Sequence, residues 1–429
     1  MVLALRLSSK AKQLSALAVI AGACLVLAFI AISHFVISTL SDDGMVVSRA
    51  TLNTAAAYFP RSAQLQARLT AVELAESMGE ETALRQAEAA ALHAVQLSPW
   101  SSDNHLLLAS VRNLQGDPAA AETSMRTAVK MAPHYPQVHW HLANLLVRQG
   151  KVDEALTEFQ AAIALDSSSR LLPGAMDIAW AISEGKLTKL TAVVGNKPKN
   201  VLALAQYLLK QSRPAEAAEI VKRIERQELV ELPAAAEFVS ALLSQGQIAL
   251  AKDLWNYLSG EETSSSTLNN GGFEKEYAPN LTQFGWKLSQ SKFANVAIDA
   301  TVAHTGKNSL RISFAGKDTT VLEREISQTV VVKPNTRYAL ECFAKTEKLV
   351  TTEGVRVVVS DLTSSAPLGS STLIMAGSSD WQSCTLDFVA PANAQAVVVA
   401  IKRTPKFSYD EPTKGKVWFD DFSLREKTR

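Results

Sequence analysis

The chain is poor in the residues that build reactive centres. Its 429 residues include three cysteines and seven histidines. Cys24 sits in an apolar run. Cys342 and Cys384 lie in the C-terminal third with neither C-x-x-C spacing nor neighbouring histidines, which speaks against a thiolate metal site or a redox motif. There is no G-x-S-x-G, no H-E-x-x-H and no phosphate-cradling glycine loop. Glu323 and Glu325, flanking Arg324, come nearest to a catalytic pair. Residues two apart on a strand share a face at about 6–7 Å, against about 5–5.5 Å for a retaining glycosidase. Nothing else there suggests a cleft, and a solvated charged edge is the expected reading, so no enzymatic activity is expected. Charge of one sign is lacking too. Lysine and arginine number 43 against 42 acids, so no global basic field points to nucleic acid.

Long apolar runs are also scarce: there is one. From Leu14 to Leu40 no residue carries a formal charge. A span of about 20 apolar residues crosses a bilayer, and the run is too long for a secretory h-region of about 7–15 residues. Arg6, Lys10 and Lys12 precede it, and Asp42 and Asp43 follow. Positive-inside asymmetry then predicts a cytoplasmic tail over 1–12, a signal-anchor helix over 13–40 and everything later outside. His34, within the run, is expected to be a neutral imidazole near the outer headgroups.

What the middle of the chain does have is a period. Pro99 and Pro133 are 34 residues apart, as are Gly116 and Gly150. Superimposing the two stretches places Leu108 on Leu142, Ala109 on Ala143, Ala121 on Ala155, Met125 on Phe159 and Ala128 on Ala162. Small residues let paired helices approach, larger ones fill the gaps between pairs, and each glycine ends a first helix with a left-handed residue. This spacing resembles the tetratricopeptide repeat. Weaker copies flank it, giving about five helix pairs between residues 50 and 260 in one right-handed solenoid, with 170–198 helical but out of period. His139 and His141 are two apart, about 200° around a helix, and cannot chelate one ion together. By the family's geometry His139 packs, while Trp140, His141, Asn144 and Arg148 face the inner surface as a protein-binding groove. Asn144 and Arg148 resemble part of a clamp for a carboxylate tail, with Ser110 and Asn113 standing where the preceding repeat would supply the rest.

A Ser/Thr-rich stretch over 261–268 reads as a linker. Beyond it, alternation at period two takes over in SLRISF, SQTVVV, RYALECFAK, GVRVVVSD, WQSCTLDFVAP, AVVVAIKR and KVWFDDFSL, separated by Gly, Pro, Asn and Ser. Many short strands predict an antiparallel β-sandwich over 269–429. In order, LNNGGFE, FGW, HTGKNSLRISF, VVVKPNTRYALECFAKT, SSDWQSCTLDFVAP and VWFDDFSL resemble carbohydrate-binding modules of the galactose-binding-like jelly-roll group. The resemblance covers nearly all of 267–425. It implies two sheets whose first and last strands meet, with sugar held on a concave face or in end loops. Sugar platforms need exposed aromatic rings beside amides and carboxylates. The candidates are Phe407 and Tyr409 with Asp410 in a polar loop, and Trp286 and Trp381, which the family usually fills with core aromatics.

Alternation along VWFDDFSL puts Trp418, Asp420, Phe422 and Leu424 on one face and Val417, Phe419 and Asp421 on the other. One aspartate must then be neutralised. The resemblance implies a structural calcium bridging the first and last strands through Glu274, Asp420 and Asp421; the alternative is hydrogen bonding to loop N–H groups. Cys342 and Cys384 form either a disulfide, which an exterior compartment permits, or two buried thiols. The expected class is therefore multi-domain: one transmembrane helix, an all-α tetratricopeptide-type solenoid and an all-β jelly roll. The expected protein is a single-pass bacterial inner-membrane scaffold whose bulk is periplasmic. Its repeats hold a protein partner and its jelly roll holds a polysaccharide, in a setting suited to making or exporting surface polysaccharide. The alternative is an assembly factor that binds no sugar.

Overall fold

A computed structural model describes residues 10–42, 44–77, 79–261, 268–276, 280–317, 321–374, 376–405 and 412–427. The chain divides into two compact units, Met1–Gly195 and Asn196–Arg429.

The first unit is helical: α1 (Lys10–Ser41), α2 (Arg49–Tyr58), α3 (Ala63–Glu76), α4 (Glu81–Leu97), α5 (Ser102–Leu114), α6 (Pro118–Met131), α7 (Pro136–Arg148), α8 (Val152–Leu165), α9 (Leu172–Ile182) and α10 (Leu187–Val194). Within α1, Leu14–Ser41 is long and apolar enough to cross a membrane. From α3 on, successive helices pack as pairs, α3 with α4, α5 with α6, α7 with α8 and α9 with α10. The repeat is written into their ends. Ser101 accepts from Asn104 N–H, and Asp117 from Ala120 N–H ahead of Pro118. Gly116 and Gly150 take φ of +82° and +74°. Beyond them Asp117 N–H donates to Arg112 O at 3.0 Å and Lys151 N–H to Leu146 O at 2.9 Å, closing the same six-to-one turn in both repeats. His105 and His139, one period apart, each place Nε2 on a proline carbonyl, Pro99 O at 2.9 Å and Pro133 O at 3.0 Å. His139 is buried, its Nδ1 2.7 Å from Glu158 Oε2. All ten superimposed positions from Leu108 to Ala162 are buried.

The second unit begins with α11 (Pro198–Lys210), α12 (Pro214–Val221), α13 (Arg226–Val230), α14 (Pro233–Ser244) and α15 (Ile248–Ser259). Six helix pairs are therefore described, counting α11 with α12 and α14 with α15, against the expected five. The addition is α9–α10, where helices of 11 and 8 residues fill the out-of-period stretch.

Ten strands follow: β1 (Lys287–Leu288), β2 (Ala294–Asp299), β3 (Ser309–Lys317), β4 (Ile326–Val331), β5 (Arg337–Val350), β6 (Arg356–Asp361), β7 (Pro367–Ser370), β8 (Gly377–Val389), β9 (Ala396–Lys402) and β10 (Thr413–Glu426). They form two antiparallel five-stranded sheets, β1-β4-β9-β6-β7 and β2-β3-β10-β5-β8. The core between them includes Ile312, Leu340, Val357, Val399 and Phe419. All seven expected strand segments form strands. The sequence reading missed β1, β2 and β7; two of these have only two and four residues.

The alternation expected along β10 breaks. Val417, Phe419, Phe422 and Leu424 all lie in the core. Asp421 has φ of +50°, and the register with β5 slips between Asp420 and Ser423. This is a β-bulge, and the extra residue returns Phe422 to the inner face. Asp tolerates the left-handed region better than most residues. Phe422 N–H then donates to Gly271 O at 3.0 Å, joining the start of the sandwich to its last strand.

Candidate functional site

In the helical unit, four residues of α7 share one concave space of about 320 Å³ with Ser110, Asn113 and Leu114 of α5 and Met125 of α6. They are Trp140, His141, Asn144 and Arg148, the set expected for the groove. Helical spacing puts them on one face. Trp140 meets Phe159 edge-on at 5.2 Å between ring centroids, and a Cβ on Gly174 would lie 3.1 Å from its ring. The indole thus forms a fixed wall. Asn144 donates Nδ2–H to Trp140 O at 2.8 Å. Desolvation in the groove, and then the Arg148 charge, push the His141 imidazole below its usual range. The groove therefore presents a neutral imidazole and one guanidinium, with uncharged Ser110 and Asn113 opposite.

In the sandwich, the two adjacent aspartates are partnered by one loop. Asp420 Oδ2 accepts from His304 N–H at 2.7 Å and Thr305 N–H at 3.3 Å, and Oδ1 from Asp421 N–H at 2.7 Å. Asp421 binds His304 Nδ1 and Thr305 Oγ1, each at 2.7 Å. Glu274 Oε1 accepts from Lys307 N–H at 2.7 Å and Asn308 N–H at 2.9 Å. Burial raises the Asp420 carboxyl pKa, against its three backbone donors. Trp418 is buried, and its Nε1–H donates to Asp299 Oδ2, at the end of β2, at 2.9 Å. Burial opposes ionisation of Asp299, yet Thr301, Trp418 and Arg311 together hold it at about 2.

Calcium asks for about 6–8 oxygens. Both carboxylates of the aspartates and Oε1 of Glu274 are already engaged by N–H or O–H donors. Among the described residues no group of three or more His, Cys, Asp or Glu is arranged to hold a metal. As placed, Glu274, Asp420 and Asp421 do not fit a shared calcium, and the hydrogen-bonded alternative accounts for them.

The aromatic candidates separate. Trp286 is buried, its Nε1–H on Asn270 O at 3.2 Å and its ring against Phe273 and Phe422. It is a core residue, which corrects its candidacy as a glycan contact. Phe407, Tyr409 and Asp410 lie outside the described residues. Trp381, on β8, is half-buried beside a group that the sequence reading missed. His304 stacks on Phe343 at 3.9 Å and meets Trp381 edge-on at 5.5 Å. Phe343 alternates with the core residues Cys342 and Ala344, so this trio lies on the outer side of β5 and β8. The outward phase of Phe343 was the available signal; the approach of His304 from a distant loop had none. Nearby, Lys345 pairs with Asp380 at 2.9 Å. Glu325 Oε2 accepts from Glu323 N–H and Arg324 N–H. Cys342 and Cys384 are free buried thiols.

The described residues thus combine a helical repeat array bearing a concave groove with a β-sandwich bearing an outer aromatic trio. Residues 107–170 match the tetratricopeptide repeat family and residues 265–408 match the carbohydrate binding domain family. Similar solved structures include a tetratricopeptide-repeat protein of Thermus thermophilus, at 23% identity over 32% of this chain and 70% of that one, TM-score 0.28. A family 4 carbohydrate-binding module is 17% identical over 37% of this chain and 99% of that one, TM-score 0.25. The Yersinia enterocolitica type III secretion chaperone SycD, in complex with a peptide of the translocator YopD, is 19% identical over 28% of this chain and 92% of that one, TM-score 0.25. No curated protein matches the chain.

Proposed function

We propose that the protein is a non-catalytic adaptor, anchored in a bacterial inner membrane by α1 with its bulk in the periplasm. In this reading the α5–α7 groove holds a peptide segment of a protein partner, and the sandwich holds a polysaccharide on the face around Trp381. The setting proposed is the making or export of surface polysaccharide. The observation that carries the reading is the groove itself, where side chains of two successive repeats converge on one space walled by Trp140 and charged by Arg148. Its chemistry suits a segment with an apolar side chain and a carboxylate.

A photocrosslinking residue at Asn113 tests this in the full-length, membrane-integrated protein. The expected result is one discrete adduct, absent when the crosslinker sits at exposed Thr123 on α6 and lost in the Asn144→Ala, Arg148→Ala double variant with an unchanged melt. Equal adducts from both positions would remove the groove from the proposal. The rival reading, an assembly factor that binds no sugar, is favoured by one observation. The half-buried positions on the outer side of β4, β6 and β9, such as Thr329, Val358 and Val398, carry no aromatic ring.

A further inference from the structure

Cys342 and Cys384 are directly opposite each other in the β5–β8 register. Both face the core, and both are free. Opposed residues of antiparallel strands have Cα atoms about 4.5–5.5 Å apart, inside the range of about 4.4–6.8 Å that a disulfide spans. The two cysteines are not equivalent. Cys342 is 0% exposed, whereas Cys384 is 5% exposed and lines a cavity of about 350 Å³. The cavity wall is uncharged and mixed, with Thr346, Ser378, Ser379 and Gln382 beside Ala344, Leu373 and Ile374. Access on one side and a second thiol directly behind is the arrangement of an attacking and a resolving cysteine.

We infer that Cys384 and Cys342 form a thiol–disulfide exchange site, in which a polar low-molecular-weight disulfide enters the cavity and leaves β8 covalently tied to β5. The Cys384 thiolate attacks one sulfur of the incoming disulfide RS–SR. A Cys384–SR bond forms, the S–S bond breaks and one RS⁻ departs. Cys342 then gives up its proton and attacks Cys384 Sγ, forming the Cys342–Cys384 bond and expelling the second RS⁻. The protein loses two electrons and two protons, and the small disulfide becomes two thiols. The order of attack follows from access, because Cys384 lines the cavity and Cys342 is not among its lining residues. A thiolate near neutral pH is the attacking form.

The bond ties an edge strand, since β8 ends its sheet. It lies three residues from Trp381 on the same strand, so oxidation also fixes the strand that carries the aromatic face.

The test uses the full-length protein, reduced with dithiothreitol, freed of it, and incubated with cystine. Thiols left over are alkylated after denaturation and counted by intact-mass spectrometry, and the bond is located by peptide mapping. The expected result is that Cys24 alone alkylates, that a Cys342–Cys384 peptide appears, and that the melt rises by about 5 °C or more, reversibly with reductant. Alkylation of both Cys342 and Cys384 after cystine would overturn the inference, with no variant needed. In Cys342→Ser the mixed disulfide should remain trapped on Cys384, while Cys384→Ser should take up no cystine at Cys342. The opposite pattern would overturn the assigned order.

Discussion

Two adjacent aspartates in a strand were the oddest residues in the sequence, and they do two different jobs. Asp421 supplies the left-handed backbone of the bulge and holds the His304 ring. Asp420 stays in phase and receives the loop's backbone N–H groups. Sequence reading located both residues and the need to neutralise them. It did not locate the donors, because His304 and Thr305 arrive from 115 or more positions away and no local pattern encodes that approach. Nor could it separate Trp286 from Trp381. Both look like isolated aromatics, and only the packing of Phe273 and Phe422 buries one of them. The surviving candidate makes a residue-scale prediction. If the face around Trp381 stacks on a sugar ring, Trp381→Ala in the full-length protein should weaken binding to the glycan selected on an array about tenfold, with the melt retained. Wild-type protein that retains no glycan on the array would leave the assembly reading standing.

Secondary structure was the most legible layer, because its signals are short-range. Proline in the first turn of α6, α7, α9, α11, α12 and α14 marks where those helices begin, and glycine past α5 and α7 marks where those end. Alternation found seven strands. It misread β10 beyond Asp420 because a one-residue bulge inverts every later side chain, and an aspartate bulge looks like any other aspartate. The junction of the first sandwich segment with β10 gives a prediction that sequence could not. A Cβ on Gly271 would fall 1.9 Å from Phe422 O, whereas on Gly272 its nearest neighbour is Asp421 Oδ1 at 3.5 Å. Gly271→Ala should therefore cost about 2–4 kcal/mol and Gly272→Ala far less, as read by chemical denaturation of the two variants side by side. Similar losses at both positions would mean that the chain does not pass so closely over β10.

At the scale of the molecule, the segments that flank the expected linker are held together within the second unit. Residues 262–267 lie outside the described set, but the segments on either side are tied together. Trp255 Nε1–H donates to Leu281 O at 3.0 Å, and Gln283 Nε2–H to Ala236 O at 3.0 Å. Asn269 and Gln328 exchange two hydrogen bonds, of 3.1 and 2.9 Å. Lys252 Nζ reaches Asn269 Oδ1 at 3.2 Å and stands 4.4 Å from the Trp255 ring centroid. Burial pushes this amine down to about 8, with Glu261 pulling the other way. An unfolded lysine titrates near 10.4. Between those values the unfolded chain holds the extra proton, so this group's contribution to stability rises with pH. Wild type should gain on Lys252→Met by at most about 3 kcal/mol between pH 7.5 and pH 10. A gap that does not change with pH would show that the amine is solvated. Composition could flag a Ser/Thr-rich stretch, but no spacing rule reports that helices on one side dock on strands from the other.

The sheet order carries one more consequence, in the timing of biosynthesis. In β2-β3-β10-β5-β8 the last strand made is the middle one. While the chain emerges from N- to C-terminus, the helix pairs can close as each is completed, since their contacts are between neighbours. The sandwich cannot. Until Glu426 is out, β3 and β5 each present an unpaired edge to whatever is nearby. The sandwich, which the sequence places after the helices, is thus also the part that waits longest, and its exposure to wrong partners is set by the rate at which the last strand is delivered.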